Sequence, residues 1–197
     1  MASQRQQVLR NPERYQWEKD RVRLSAAARR STGAAERDTG LSRSELRFAA
    51  EYRTIPATPE LAKQFGVVTG EMLLQRIYRT FCREEDAPLG LVYSYLCHDL
   101  AAQNPALLDS RNEPWPGGTQ HQLFTLGIEL DRIVDHLRAR PPTRYESAAL
   151  CVPAGNAVLT LHAVSIATSG RVVEVSEVVA PGDRTEFVYT TALARWT

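Results

Sequence analysis

The apolar residues of this chain recur mostly at every second position, which predicts strands rather than long amphipathic helices. The clearest run is Val172–Tyr189, VVEVSEVVAPGDRTEFVY. It reads as two strands joined at Ala180-Pro181-Gly182-Asp183, where Pro presets φ and Gly accepts a positive value. The first strand puts Val173, Val175 and Val179 on one face and Val172, Glu174, Ser176 and Val178 on the other. The second alternates Thr185, Phe187 and Tyr189 against Glu186 and Val188.

Further strands are predicted over Leu46–Ile55, Glu71–Arg83, Leu89–Leu96, Asp131–Arg138 and Val158–Ser165. Glu84-Glu85-Asp86 joins the second and third of these as an antiparallel hairpin, and Thr168-Ser169-Gly170 joins the last to the Val172 run. Helix signals are shorter. Asn11-Pro12-Glu13 opens a helix expected to reach about Arg30, followed by loop chemistry over Ser31–Ser44. Thr58 caps Pro59–Phe65, Thr119 caps a helix ending at Gly127, and Pro141-Pro142-Thr143 caps one reaching about Cys151. The order of elements predicts an α+β fold, an antiparallel sheet with flanking helices.

Composition then divides the chain. A hydrophobic content of 43% supports one packed domain, expected over residues 45–197. Residues 1–44 are too polar to fold alone and read as a linker or a segment that docks on a partner. The net charge is only +1, and the excess of base lies in the arm, where ten arginines and Lys19 face six acids over residues 1–47. The body is therefore mildly acidic and is not a nucleic-acid-binding surface. Cys82, Cys97 and Cys151 are scattered and read as reduced thiols, and the four histidines do not gather with them into a metal site. No apolar run approaches the ~20 residues that span a bilayer, and no signal peptide opens the chain, so a cytoplasmic protein without membrane contact is expected. There is no phosphate-binding glycine loop, metalloprotease motif or nucleophile elbow, and no catalytic residue or cofactor is expected.

What remains is a set of polar side chains on otherwise apolar strand faces: Arg76, Tyr78 and Thr80 on one strand, Glu174 and Ser176 on another. Over a shared cavity they would hold a small polar ligand; alternatively Arg76 and Glu174 form a salt bridge or are solvated. Thr119, following Gly117-Gly118, would either help hold an anion or act as an ordinary cap.

Four stretches carry a family resemblance: GEMLLQRIYRT, APLGLVYSYL, GGTQHQLFTLGIEL and NAVLTLHAVSIATSGRVVEVSEVVAPGDRTEFVY. Together they resemble the UTRA domain, the effector-binding domain of HutC-type regulators in the GntR family, over about Glu45 to Trp196. The last stretch is the most specific, through Gly170, Val173, Glu174, Gly182, Asp183, Arg184 and Phe187. The resemblance implies a chorismate lyase-like fold, a homodimer and a pocket for a small-molecule effector. It implies contact with DNA only through an amino-terminal winged helix, for which the arm is too short. The chain is thus expected to be the sensor part of a regulator, with residues 1–44 similar to its interdomain linker.

In the family two arginines grip an anionic group of the effector; by position they fall near Tyr78 and Thr80. One family glutamate falls on Glu174 and another on Val92. Arg76 shares the face of Tyr78 and would substitute, whereas Arg79 points the other way. The departure points away from a phosphorylated sugar and toward a more apolar or aromatic effector. The expected ligand-binding set is Arg76, Tyr78, Thr80, Val92, Ser94, Thr119, His121, Glu174 and Ser176. A chorismate lyase-like enzyme on the same fold is the alternative, and a pure assembly module without a cavity is a third reading.

Overall fold

The computed structural model describes residues 5–195. Met1–Gln4 of the expected tail, and Trp196 and Thr197 at the end of the expected 45–197 domain, lie outside the described residues. In chain order the elements are β1 (Val8–Arg10), α1 (Glu13–Asp20), α2 (Ala26–Ser31), α3 (Ala34–Thr39), β2 (Leu46–Pro56), α4 (Pro59–Phe65), β3 (Met72–Cys82) and β4 (Gly90–Cys97). They continue with α5 (His98–Ala101), α6 (Gly118–Thr125), β5 (Leu130–Arg140), α7 (Arg144–Leu150), β6 (Val158–Ala167), β7 (Val172–Pro181) and β8 (Thr185–Phe187).

Strands β2 to β7 form one antiparallel sheet in the order β2-β3-β4-β7-β6-β5, the α+β arrangement that the alternation predicts. The chain closes the two hairpins β3-β4 and β6-β7, then joins them through the β4-β7 pair at the centre. One face is covered by helices. Leu73 and Val175 pack on Ala62 and Phe65 of α4, and Leu91, Val158 and Val179 pack on Leu150 of α7. The other face carries two separate apolar clusters. Leu123 of α6 sits on Leu96, Leu130, Ala167 and Val173 at one end, and Val8 of β1 meets Leu46 and Leu89 at the other. Between these clusters the same face turns polar and the space above it is not filled.

Three departures from the alternation have physical causes. First, β8 does not pair with β7. The Gly182 N–H donates to the Ala157 carbonyl at 3.0 Å, and a Cβ at Gly182 would lie 2.8 Å from that oxygen, so the turn is pressed against the backbone before β6. Arg184 then plunges inward: fully buried, it donates to Glu85 at 2.7 Å and to the Pro88 carbonyl at 2.5 Å. The strand leaves β7 and pairs in parallel with β1, Val8 opposite Thr185 and Arg10 opposite Phe187.

Second, β7 carries a bulge. Ser165 pairs with Glu174 and Ile166 with Val172, so Val173 is the extra residue. Val173 therefore packs beneath α6, on the side of Glu174, while Val172 packs against the α4 cluster. That is the reverse of simple alternation for both valines.

Third, residues 13–39 form three short helices where one helix and a loop are predicted. Ser25 stops propagation by capping α2, its Oγ accepting from Ala28 N–H at 3.2 Å, and Gly40 in the left-handed conformation closes α3. These helices lie on the protein's own sheet, held by polar contacts. Tyr15 donates to Asp135 at 3.0 Å, Lys19 donates to the Leu130 carbonyl at 2.6 Å, and Arg29 donates to the Pro116 carbonyl at 3.0 Å.

Two stability tests follow. Arg184→Met orphans the Pro88 carbonyl and uncouples Glu85, so the urea midpoint should fall by an amount equivalent to about 2 kcal/mol. An unchanged midpoint would show that the turn is not anchored by this side chain. Glu146 lies in the capping box of α7, accepting from Arg140 and from the Thr143 N–H, and is held at about 2 against an ordinary 4.5, chiefly by Arg140. Its folded pKa is depressed, so its contribution is full above pH 4.5 and lost as pH falls toward 2. Denaturation across that interval should show wild type losing more stability than Glu146→Gln; parallel curves would refute the assignment.

Candidate functional site

A register row crosses the polar stretch of the open face: Tyr52, Arg76, Ser94, Ser176, Ala163 and Asp135, one from each strand from β2 to β5. Pairing thus brings Arg76 and Ser94 together, and Glu174, two residues before Ser176 on β7, shares their face. Arg76 donates to Glu174 at 2.8 Å and to Ser94 at 2.6 Å, and Ser94 donates to the same carboxylate oxygen at 2.6 Å. Ser165 donates to the other oxygen at 3.3 Å. Arg76 is 1% exposed. Burial opposes its charge most strongly, but Tyr78 and Glu174 more than offset it, so its pKa lies above the ordinary arginine value.

A second centre adjoins the first. Gln122 of α6 accepts from Arg76 and donates to Glu113 at 2.9 Å. The Glu113 carboxylate also accepts from Tyr52, from Tyr78 at 3.0 Å and from the Trp115 N–H at 2.6 Å. Burial pushes the Tyr78 and Tyr52 phenols up, so both stay protonated and serve as donors. Gly117 makes the loop before α6 possible. It has φ 97°, and a Cβ there would lie 2.7 Å from Arg29 Cδ of the arm.

Above this floor lies a cavity of about 460 Å³. Its floor includes Tyr78, Thr80, Val92, Ser94, Glu174 and Ser176, and its wall includes Thr119, Gln120 and Gln122 of α6. The roof is the amino-terminal arm: Arg10, Arg14, Tyr15, Trp17 and Glu18 all face the space. Glu18 accepts from Arg14 at 3.3 Å, and burial, with Asp38 and Glu174 nearby, pushes its carboxyl up. Arg14 is shared between Glu18 and Asp38.

Seven of the nine residues expected from sequence therefore line one cavity. Arg76 does not: its guanidinium is closed behind Gln122, Ser94 and Glu174, so the salt-bridge alternative describes this pair. His121 also turns away. Burial and Arg29 lower its pKa, and its Nδ1 accepts from Trp115 Nε1 at 2.8 Å. Thr119 is not the N-cap of α6, because Gly117 occupies that position. Glu113, Gln122, Ser165 and the arm residues escaped the sequence reading. The one visible signal was an acid at the mouth of the Pro114-Trp115-Pro116 loop.

This geometry, a polar-floored cavity between an antiparallel sheet and helices, is that of a binding domain. A family model described as the UTRA domain matches residues 49–186, and the chain belongs to that family, whose members are regulatory effector-binding domains rather than enzymes. Similar solved structures include a putative GntR-family transcriptional regulator at 20% identity and TM-score 0.68, covering 81% of this chain and 64% of that one. PhnF from Mycobacterium smegmatis, also at 20% identity and TM-score 0.68, covers 96% of this chain and 74% of that one. The effector domain of PhnF alone, at 22% identity and TM-score 0.61, covers 76% of this chain and 90% of that one. At these identities the likeness is one of fold. No curated protein matches the sequence. Among the described residues no helix is long and apolar enough to cross a membrane.

The floor makes a test possible. Glu174→Ala leaves Arg76 buried without its counter-charge and should cost about 3–5 kcal/mol in urea denaturation. Arg76→Met combined with Glu174→Leu removes both charges and should recover much of that loss. A double variant as unstable as the single one would contradict the ion pair as the cause.

Proposed function

We propose that this chain is the ligand-sensing part of a GntR-type transcriptional regulator, in which a small-molecule effector enters the cavity between sheet and arm. The observation that carries the reading is the cavity itself. Its size suits a metabolite, and hydroxyls and carboxylates on one floor give orientation while apolar walls give affinity. The family supplies the regulatory context.

Sensing in this reading works by population shift. An effector that contacts both floor and arm stabilises the arrangement in which the arm is docked. In the intact regulator the arm would lead to a DNA-binding domain, and two copies would pair as a cytoplasmic homodimer so that the docked state changes the spacing of the two heads. DNA contact belongs to that other domain. Repression is one possible output of such a shift, and the HutC-type grouping is the subclass the motifs suggest.

The test is thermal denaturation of the full chain against a metabolite panel spanning acids, amines, sugars and phosphosugars. A true effector at 100 times its Kd adds about 2.7 kcal/mol, a rise of roughly 5–10 °C for a chain of this size. Ser176→Trp, which fills the floor, should abolish that rise while leaving the unliganded melting cooperative. A rise that persists in Ser176→Trp would move the site elsewhere.

A further inference from the structure

Arg10 of the arm faces the cavity with its hydrogen-bonding capacity toward the protein unused. Arg10 shares the inward face of β1 with Val8, two residues earlier. Its side chain is 15% exposed and makes no hydrogen bond among the described residues; the nearest carboxylate, Asp38, stands 4.0 Å from Nε. Phe187 lies beneath it, with the guanidinium carbon 5.9 Å from the ring centre. Most carboxylates around the cavity are in a different state, the exception being Glu36, whose Oε1 is buried without a hydrogen bond among the described residues and stands 3.7 Å from Arg43 Nη1. Glu174 and Glu113 are each held by several donors, and Asp38 and Glu18 both accept from Arg14. Next to Arg10, the Nε of Arg14 is buried and without a partner among the described residues. A guanidinium that lines a cavity and has no protein acceptor for its donors is open to a charge-assisted hydrogen bond with an anion supplied from outside.

We infer that Arg10, assisted by Arg14, is the anion anchor of the cavity, and that the effector is a small monocarboxylate with an apolar or aromatic body, held between arm and sheet. This rests on the effector-sensing reading above and gives it a ligand class. Three features set that class. The sheet offers no free cation, because Arg76 is closed off by Glu174 and the neighbouring positions are Tyr78 and Thr80. Asp38, Glu18 and Asp135 surround Arg10, so a single negative charge is accommodated and a dianion is repelled. Leu161, Ala163, Val178 and Val92 on the floor, with Tyr15 and Trp17 above, leave an apolar space for the rest of the molecule. Burial and the neighbouring Arg14 lower the Arg10 pKa, against the opposing pull of Asp38 and Glu18.

The experiment is calorimetric titration of the full chain with benzoate, phenylacetate and octanoate, each beside its primary amide, and with glucosamine 6-phosphate and benzylamine. At least one acid should bind, with its amide weaker by about tenfold or more. Arg10→Met should weaken the acid by a similar factor and leave the amide unchanged, and Arg10→Lys should recover part of the loss. The proposal is overturned if Arg10→Met binds the acid as wild type does, if amide and acid bind alike, or if the phosphosugar or the amine binds while all three acids are refused. In that last case the effector reading survives without its acid. If no ligand of any charge binds, in this set or in the wider metabolite panel, both readings fall together.

Discussion

The ion pair between Arg76 and Glu174 constrains the whole open face. Two charges removed from water must satisfy one another, and here they do so across three neighbouring strands, with Ser94 bridging them on the strand between. That requirement is met by the register of β3, β4 and β7, which sets Arg76 beside Ser94 and Glu174 opposite Ser165; the bulge at Val173 lies beyond that pair and re-aims Val172 and Val173 instead. Having closed on each other, the two groups form a floor that is polar but electrically settled. A ligand meets hydroxyls and one partly free carboxylate oxygen there, and any strong charge it carries must be answered from another direction.

That direction is the arm. Its helix α1 has no buried residue, and its attachment to the rest consists of hydrogen bonds and ion pairs around the rim. Contacts of this kind are each worth little in water, so the roof opens at lower cost than the sheet beneath it. The anchored parts stand in contrast. Val8 is packed into a small core with Leu46 and Leu89, and Arg184 clamps the turn that precedes β8. The arm is thus firmly held at β1 and loosely held at α1 and α2, the arrangement of a flap with one fixed edge.

Much of the sheet was legible because period-two alternation is a local property. Strands β2 to β7 fall within a residue or two of where the pattern puts them, and Thr143 and Thr58 cap the helices that they announce. What alternation cannot register is an insertion, so Val172 and Val173 were assigned to the wrong faces. Nor can it register a long-range partner. Thr185–Phe187 alternates like a hairpin strand, yet its partner is Val8–Arg10, more than 170 positions away in sequence. The site divides along the same line. Tyr78, Thr80, Ser94, Glu174 and Ser176 share a face by strand geometry and were readable together. Glu113 and Gln122 come from a loop and a helix whose placement depends on tertiary packing, and the roof residues sit in a segment whose polarity disguises its role. A stretch such as ERYQWEKD looks like a solvated linker because it lacks an apolar stripe; it instead contributes to the lining of the cavity.

The position of Arg10 has a practical consequence for anyone dividing this protein into fragments. The family model begins at residue 49, and a truncation made there would keep β3 to β7 whole, β2 without its first three residues, and both apolar helix contacts beneath the sheet. It would also strip the lid, expose Tyr78 and Val178 to bulk solvent and delete β1, leaving Thr185–Phe187 as an unpaired edge prone to self-association. Such a piece would be folded by most spectroscopic criteria, yet under the proposed reading it would lack its ligand-binding roof, so a negative screen on it would say nothing about the longer chain.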